Sequence, residues 1–194
     1  MMDIVKQRVL QECDTTADEI INVGAIIDQR LDLHLFEQIG EEFRRRFDDV
    51  ADRVNMILTV EASGIAIAAF TAKYFDYVPV VFARKADPKK IREGYYFTDV
   101  SNIGDRTLTA IRIEKKFIGP EHRCLIIDDI LAKGEDVLGL AHICKEAGAE
   151  LLGAGVVIDK EFQKGGQKLR DKGIRFEPLT TVTKIENGVI HFKE

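Results

Sequence analysis

Apolar residues at helical spacing mark the first clear element of the chain. Phe36, Ile39, Phe43 and Phe47 line one face of a helix over about 31–48, and Glu41, Glu42, Arg44 and Arg45 fill the other. The run Val54-Asn55-Met56-Ile57-Leu58-Thr59-Val60 predicts a strand. After Glu61-Ala62-Ser63-Gly64, the small-residue apolar stretch 65–73 predicts a buried helix. Further strands are expected from Tyr77 to Ala83, Cys124 to Asp128 and Leu151 to Ile158, with a helix from Glu135 to Ala147. The end, about 179–192, has the pattern of a hairpin turning at Asn187-Gly188. Residues 86–112 break this rhythm with Lys89, Lys90, Arg92, Gly94, Tyr95-Tyr96, Gly104 and Arg106. They predict a mobile excursion ending as a partly ordered hairpin near 105–113, and such excursions are usually functional.

Strands alternating with helices give the α/β fold class, a parallel central sheet flanked by helices. Ligands bind such sheets beyond the carboxyl ends of the strands. That selects the loops after Val60, Ile127 and Ile158. A length of 194 residues fits one domain over 1–194.

Composition narrows the class. Apolar residues at 45% and charged residues at 31% belong to an ordinary globular chain, not a disordered one. A net charge of -5 argues against a dedicated nucleic-acid binder. No apolar run is long enough to cross a membrane, and charges interrupt the start of the chain too often for a signal peptide. Cys13, Cys124 and Cys144 form no C-x-x-C pair, and His34, His122, His142 and His191 are scattered. The expectation is a reduced, cytoplasmic protein without a metal site built from its own ligands.

The strongest chemical signal is Cys124-Leu125-Ile126-Ile127-Asp128-Asp129-Ile130-Leu131-Ala132-Lys133-Gly134-Glu135-Asp136. Adjacent carboxylates at the end of a buried strand repel each other and lose hydration. They persist more easily where a ribose diol, a magnesium ion or backbone N–H groups accept their charge. The turn 132–136 opens a helix, whose free N–H groups and dipole favour a phosphate. Gly134 lets the backbone approach closely. Taken alone, the acidic pair reads equally well as a solvated strand end and helix cap.

This segment resembles the phosphoribosyl-diphosphate signature of the type I phosphoribosyltransferases. Glu61-Ala62-Ser63-Gly64-Ile65 is similar to that family's pyrophosphate loop. Val81-Phe82-Ala83-Arg84-Lys85 is similar to its second pyrophosphate-contacting strand end, and Val157-Ile158-Asp159-Lys160-Glu161-Phe162 to its base-binding loop. The resemblance covers about 20–192, and the segment Ile20–Asp32 is most similar to the family's xanthine-using branch.

The resemblance implies a fold, a reaction and roles. A small hood would come from about 1–30 and 160–194. A purine would attack the anomeric carbon of phosphoribosyl diphosphate, releasing pyrophosphate through an oxocarbenium-like transition state. Ala132, Lys133, Gly134, Glu135 and Asp136 would hold the 5′-phosphate, and Asp128 and Asp129 the ribose hydroxyls, directly or through water and metal. Ala62, Ser63 and Gly64 would donate backbone N–H groups to the pyrophosphate, and Arg84 and Lys85 would neutralise it. Magnesium would arrive through pyrophosphate and ribose, with Asp128 a candidate contact. Lys160 would donate to a 6-oxo group and disfavour adenine, and Phe162 would stack on the purine. By their own chemistry, Arg84, Lys85 and Lys160 also read as surface charges, and Phe162 as a core aromatic. Ile21 and Asp28 fall at the remaining base-contacting positions. Partners would be a 6-oxopurine, phosphoribosyl diphosphate and a second copy of the chain in a homodimer, with no nucleic acid and no membrane.

The family often has Thr where this chain has Lys133, and a hydroxyl residue where it has Asp136. Hypoxanthine-guanine members carry a third acid at the position of Ala132; xanthine, partly anionic, has less need of a base. Ionised Asp28 only accepts hydrogen bonds, which keeps guanine and hypoxanthine open as substrates. A regulator that kept the phosphoribosyl-diphosphate pocket and lost catalysis is the competing class. Gly153-Ala154-Gly155 lacks the third glycine of a dinucleotide fingerprint and lies in a predicted strand. His142 and Cys144 fall on different faces of their helix and read as packing residues.

Overall fold

A computed structural model describes residues 4–15, 21–22, 27, 29–101 and 108–194. The elements are α1 (Ile4–Glu12), β1 (Asp14–Thr15), β2 (Ile21–Asn22), α2 (Leu33–Arg46), β3 (Met56–Val60), α3 (Ser63–Lys73) and β4 (Val80–Ala86). They continue as β5 (Tyr95–Ser101), β6 (Leu108–Glu114), β7 (Arg123–Leu131), α4 (Glu135–Ala147), β8 (Glu150–Lys160), α5 (Gly165–Asp171), β9 (Phe176–Glu186) and β10 (Val189–Phe192).

The main sheet has the order β10-β9-β8-β7-β3-β4-β6-β5. Strands β9, β8, β7, β3 and β4 run parallel, and the expected parallel core is present. Antiparallel pairs extend it at both edges, β9 with β10 on one side, and β4 with β6 and β6 with β5 on the other. The predicted excursion is therefore the hairpin β5–β6, which lengthens the sheet; residues 102–107 lie outside the described part.

Every residue of β3 is buried, as a central parallel strand requires. Two clusters cover the two faces. On one, Phe36, Ile39 and Phe43 of α2, Ile67 and Ala68 of α3, and Val5 and Val9 of α1 pack on Ile57, Leu125, Ile127 and Val157. On the other, Val137, Leu140 and Ile143 of α4 and Leu169 of α5 pack on Met56, Leu58, Ile126 and Ala154. Gly153 and Gly155 belong to the packing of the first face: a Cβ on Gly155 would lie 2.6 Å from Phe43, and one on Gly153 2.8 Å from Phe47. Their absent side chains let α2 lie close to β8.

Local signals set the element ends. Asp32 caps α2 by accepting the Leu35 N–H at 3.1 Å. The helix closes on Arg44, Arg45 and Arg46, cations favoured at a C-terminus. Gly148, at φ 73°, ends α4. Asn187 and Gly188, at φ 51° and 80°, make the predicted tight turn between β9 and β10.

Candidate active site

The chain order reverses between β3 and β7. From β3 the chain crosses through α3 to β4 on one side; from β7 it crosses through α4 to β8 on the other. A crevice opens beyond the carboxyl ends of strands at such a switch point. Two helix N-termini meet it, those of α3 at Ser63 and α4 at Glu135. Neither N-cap residue, Ala62 or Gly134, supplies a side-chain cap.

The first loop, Glu61 to Gly64, follows β3 and contains a cis Glu61–Ala62 peptide bond. Gly64 is a contact requirement: a Cβ there would lie 2.2 Å from Thr59 Oγ1 and 2.7 Å from Asp128 Oδ1. The carboxyl of Asp128 thus reaches across from β7 to the start of α3. Thr59 Oγ1, buried in the same place, has no hydrogen-bond partner among the described residues.

The second loop, Ala132 to Gly134, enters α4 with Gly134 at φ 79°. It rests on the start of α5. Gly165 donates its N–H to the Ala132 carbonyl at 3.1 Å, and Lys168 Nζ donates to the Lys133 carbonyl at 3.2 Å. A Cβ on Gly165 would stand 2.4 Å from the Ala132 oxygen.

The predicted strand end is corrected here. β7 continues to Leu131, so Asp128 and Asp129 sit within it, Asp128 opposite Val156 of β8. Asp128 is only 6% exposed. Burial, with repulsion from Asp129 and Asp136, holds its carboxyl well above the usual range, against the Asp129 N–H and Lys85. Asp129 is half-buried, and its Oδ1 accepts the Ile130 N–H at 2.7 Å. Burial also raises Asp136; Lys85 opposes this while Asp129 and Glu135 add to it.

Lys160 ends β8 on the same edge. It is buried, 8% exposed, and burial lowers its ammonium pKa while Asp129 opposes the shift. A solvated loop lysine is therefore excluded. Phe162, in the turn that follows, packs against the core with part of its surface exposed. Asp159 points to the other face, towards α5, with a buried Oδ1 that has no hydrogen-bond partner among the described residues; burial raises it to about 6.

Arg84 and Lys85 part company, as neighbours on a strand do. Lys85 faces Asp128 and Asp136. Arg84 Nε lies 3.5 Å from Glu61 Oε2 and lines a cavity of about 500 Å³ with Phe82, Tyr95, Arg112 and Phe117. Ile21 belongs to β2, and Asp28 lies outside the described residues. The sequence reading missed Gly165 and Glu61. The Gly165-Gly166 pair was the visible sign of the first; nothing in the pattern distinguished the second.

Two glycine-bearing helix starts, a carboxylate pair and a buried lysine converge on one switch point. The model of the phosphoribosyl transferase domain matches residues 29–176. The chain belongs to the phosphoribosyl transferase family. Family relatives cover it end to end. "Xanthine phosphoribosyltransferase 2" of Clostridium perfringens is 41% identical over 194 residues, 99% of this chain and 100% of that protein. "Xanthine phosphoribosyltransferase" of Ruminiclostridium cellulolyticum is 38% identical over 193 residues, the full length of both. Among solved structures, APRTase from Giardia lamblia, complexed with 9-deazaadenine, superposes with TM-score 0.75 at 19% identity, covering 92% of this chain and 98% of that one. At that identity the likeness speaks for the fold alone. The model match starts after α1, β1 and β2 and ends at the first residue of β9, so it spans both loops and the carboxylate pair. No helix among the described residues is long and apolar enough to cross a membrane.

Proposed function

We propose that the protein transfers the phosphoribosyl group of phosphoribosyl diphosphate to xanthine, forming xanthosine 5′-monophosphate and pyrophosphate. The observation that carries the reading is Lys160, buried at the end of β8 and electrostatically coupled to Asp129 of β7. A buried ammonium donates and cannot accept. It selects a 6-oxo over a 6-amino purine, in keeping with full-length relatives named for xanthine.

The N–H groups of Ala132 to Asp136 hold the 5′-phosphate, and those of Ala62, Ser63 and Gly64 the diphosphate. Asp129 takes the ribose hydroxyls as an acceptor. Asp128, buried beside it, shares the ribose hydroxyls. The base nitrogen attacks C1′ as the bond to the diphosphate lengthens, so the site supplies placement and charge rather than a nucleophile. Lys85 faces the leaving group, and Phe162 the purine. Ile21 and Asp28 complete the base contacts.

Among the described residues, no group of three or more His, Cys, Asp or Glu could hold a metal ion. Magnesium suits the site when the diphosphate brings most of its oxygen ligands, with the half-buried carboxylate of Asp129 adding one. Its chemistry there is neutralisation of the leaving diphosphate.

The working form is a cytoplasmic homodimer, without nucleic acid or membrane. Its support is an uncovered face near β4, where Phe82, Phe97 and Phe117 are 41%, 45% and 46% exposed. Sedimentation of wild type and Phe82→Asp tests this: a dimer converted to monomer is expected.

The deciding experiment follows pyrophosphate release with phosphoribosyl diphosphate, magnesium and each of xanthine, guanine, hypoxanthine and adenine. Fastest turnover of xanthine and none of adenine is expected. Turnover of guanine or hypoxanthine above xanthine would move the substrate. Absence of release with every base, from protein that still binds phosphoribosyl diphosphate, would make it a sensor.

A further inference from the structure

We propose that Glu61 is a positioning residue that locks the diphosphate loop to the strand end bearing Arg84 and Lys85, by continuing the β3–β4 ladder with its side chain. The proposal rests on the diphosphate reading above and deepens it.

A carboxylate at the start of an anion-binding loop is out of place unless it is turned away and engaged. Here it is both. In a parallel pair each paired residue donates to one residue of its neighbour and accepts from the residue two further on. The bonds follow that rule up to the loop: Ile57 N–H donates to Pro79, and Glu61 N–H donates to Ala83 at 3.1 Å. The next rung would run from the Lys85 N–H to the main-chain carbonyl of Glu61. It runs instead to Glu61 Oε1, at 2.8 Å. The main chain leaves the sheet at Glu61 and enters the loop, while its side chain supplies the acceptor that the departing backbone withdraws. The second oxygen lies 3.5 Å from Arg84 Nε.

Two consequences follow. The loop Ala62–Gly64 and the strand end bearing Lys85 must approach one diphosphate from different sides, and Glu61 fixes the distance between them. Its negative charge is spent on Arg84 and on a main-chain dipole, so little of it opposes the incoming anion. Reach matters more than charge. Glutamine keeps an acceptor at the right distance, whereas aspartate keeps the charge and falls one methylene short.

Steady-state kinetics on Glu61→Gln and Glu61→Asp test this. For Glu61→Asp, KM for phosphoribosyl diphosphate should rise about tenfold, the scale of one lost hydrogen bond. KM for the purine should stay unchanged in both variants, and Glu61→Gln should remain within about threefold of wild type. Wild-type kinetics in Glu61→Asp would overturn the proposal. So would equal impairment of the two variants, or a purine KM rising in step. Amide hydrogen exchange gives a readout independent of turnover: the Lys85 N–H should lose protection in Glu61→Asp and keep it in Glu61→Gln. Retained protection in Glu61→Asp would refute the rung. An inactive wild type with the expected exchange pattern would instead count against phosphoribosyl transfer.

Discussion

The two loops that face the crevice use one device and hold it in place differently. Both present the uncapped N-terminus of a helix, and both depend on a glycine. The loop before α3 is braced by a side chain, Glu61, against β4. The loop before α4 is braced chiefly by the main chain at the start of α5, where Gly165 donates to Ala132, with the exposed Lys168 adding a bond to Lys133. A side-chain brace leaves options for substitution, because another acceptor of equal length can replace it. A backbone brace leaves none, since any Cβ on Gly165 enters the space of the Ala132 oxygen. The electrostatics differ as well. The first loop turns its carboxylate away. The second carries Glu135 and Asp136, with Lys85 reaching Asp136 from β4.

The largest break in this comparison should come from Gly165→Ala. Its Cβ meets backbone at 2.4 Å, so the second loop must move. Urea unfolding should show a loss of about 3 kcal/mol, with KM for phosphoribosyl diphosphate raised at least about tenfold. Gly64→Ala meets the side chains of Thr59 and Asp128, and a smaller loss of about 1–2 kcal/mol is expected. Equal costs would erase the distinction between the two braces.

Asp159→Asn probes what lies beneath the second brace, since Asp159 Oδ2 is 3.2 Å from where a Cβ on Gly166 would be. Burial lifts the Asp159 carboxyl to about 6 in the folded protein, above its unfolded value of 3.8. The protonated form is therefore favoured by folding. That stability is complete below the unfolded value and lost as pH rises through about 6. Asparagine cannot ionise, so the variant should exceed wild type by about 2 kcal/mol at pH 8, and the gain should vanish towards pH 4. A constant difference across that range would show that Asp159 does not titrate there.

The smallest effect sharpens the electrostatic contrast. Asp136→Asn should tighten phosphoribosyl diphosphate binding about fivefold at pH 8, measured by calorimetry, because one negative charge leaves the phosphate loop. Since burial raises the Asp136 carboxyl, wild type should approach the variant as pH falls. Weaker binding by the variant would mean that the charge serves the site.

Much of this architecture could be read from the chain. Helical spacing of Phe36, Ile39 and Phe43 located α2, and the helix Glu135 to Ala147 matches α4 end to end. The strand ends were misplaced where polar residues continue a buried strand, as Asp128 and Asp129 do in β7: hydrophobic patterning stops at the first carboxylate, whereas the hydrogen-bond ladder does not. Helices α1 and α5 went unpredicted. The first has a weak apolar face, with Val5 and Val9 its buried residues, and the second begins with two glycines that disfavour a helix by propensity. At the crevice, the loop after β3 was picked out by its place at a strand end, and the loop before α4 by its carboxylates and Gly134. The burial of Lys160 and the divergence of Arg84 from Lys85 depend on sheet position, which single-residue chemistry does not encode. The work of Glu61 depends on which rung of a ladder its side chain replaces, and no local pattern announces that.

The uncapped start of α4 has a bearing on how such a chain can change over time. On the proposed reading its anion donors are peptide N–H groups, which every residue type except proline supplies. Lys133, Glu135 and Asp136 can therefore drift among amino acids without deleting a donor, and the side chains that accumulate there adjust affinity in small steps. Gly134 and Gly165 have no such latitude. The loop is robust in what it presents and brittle in where it stands, so inherited variation there should tune the grip on phosphate long before it abolishes it.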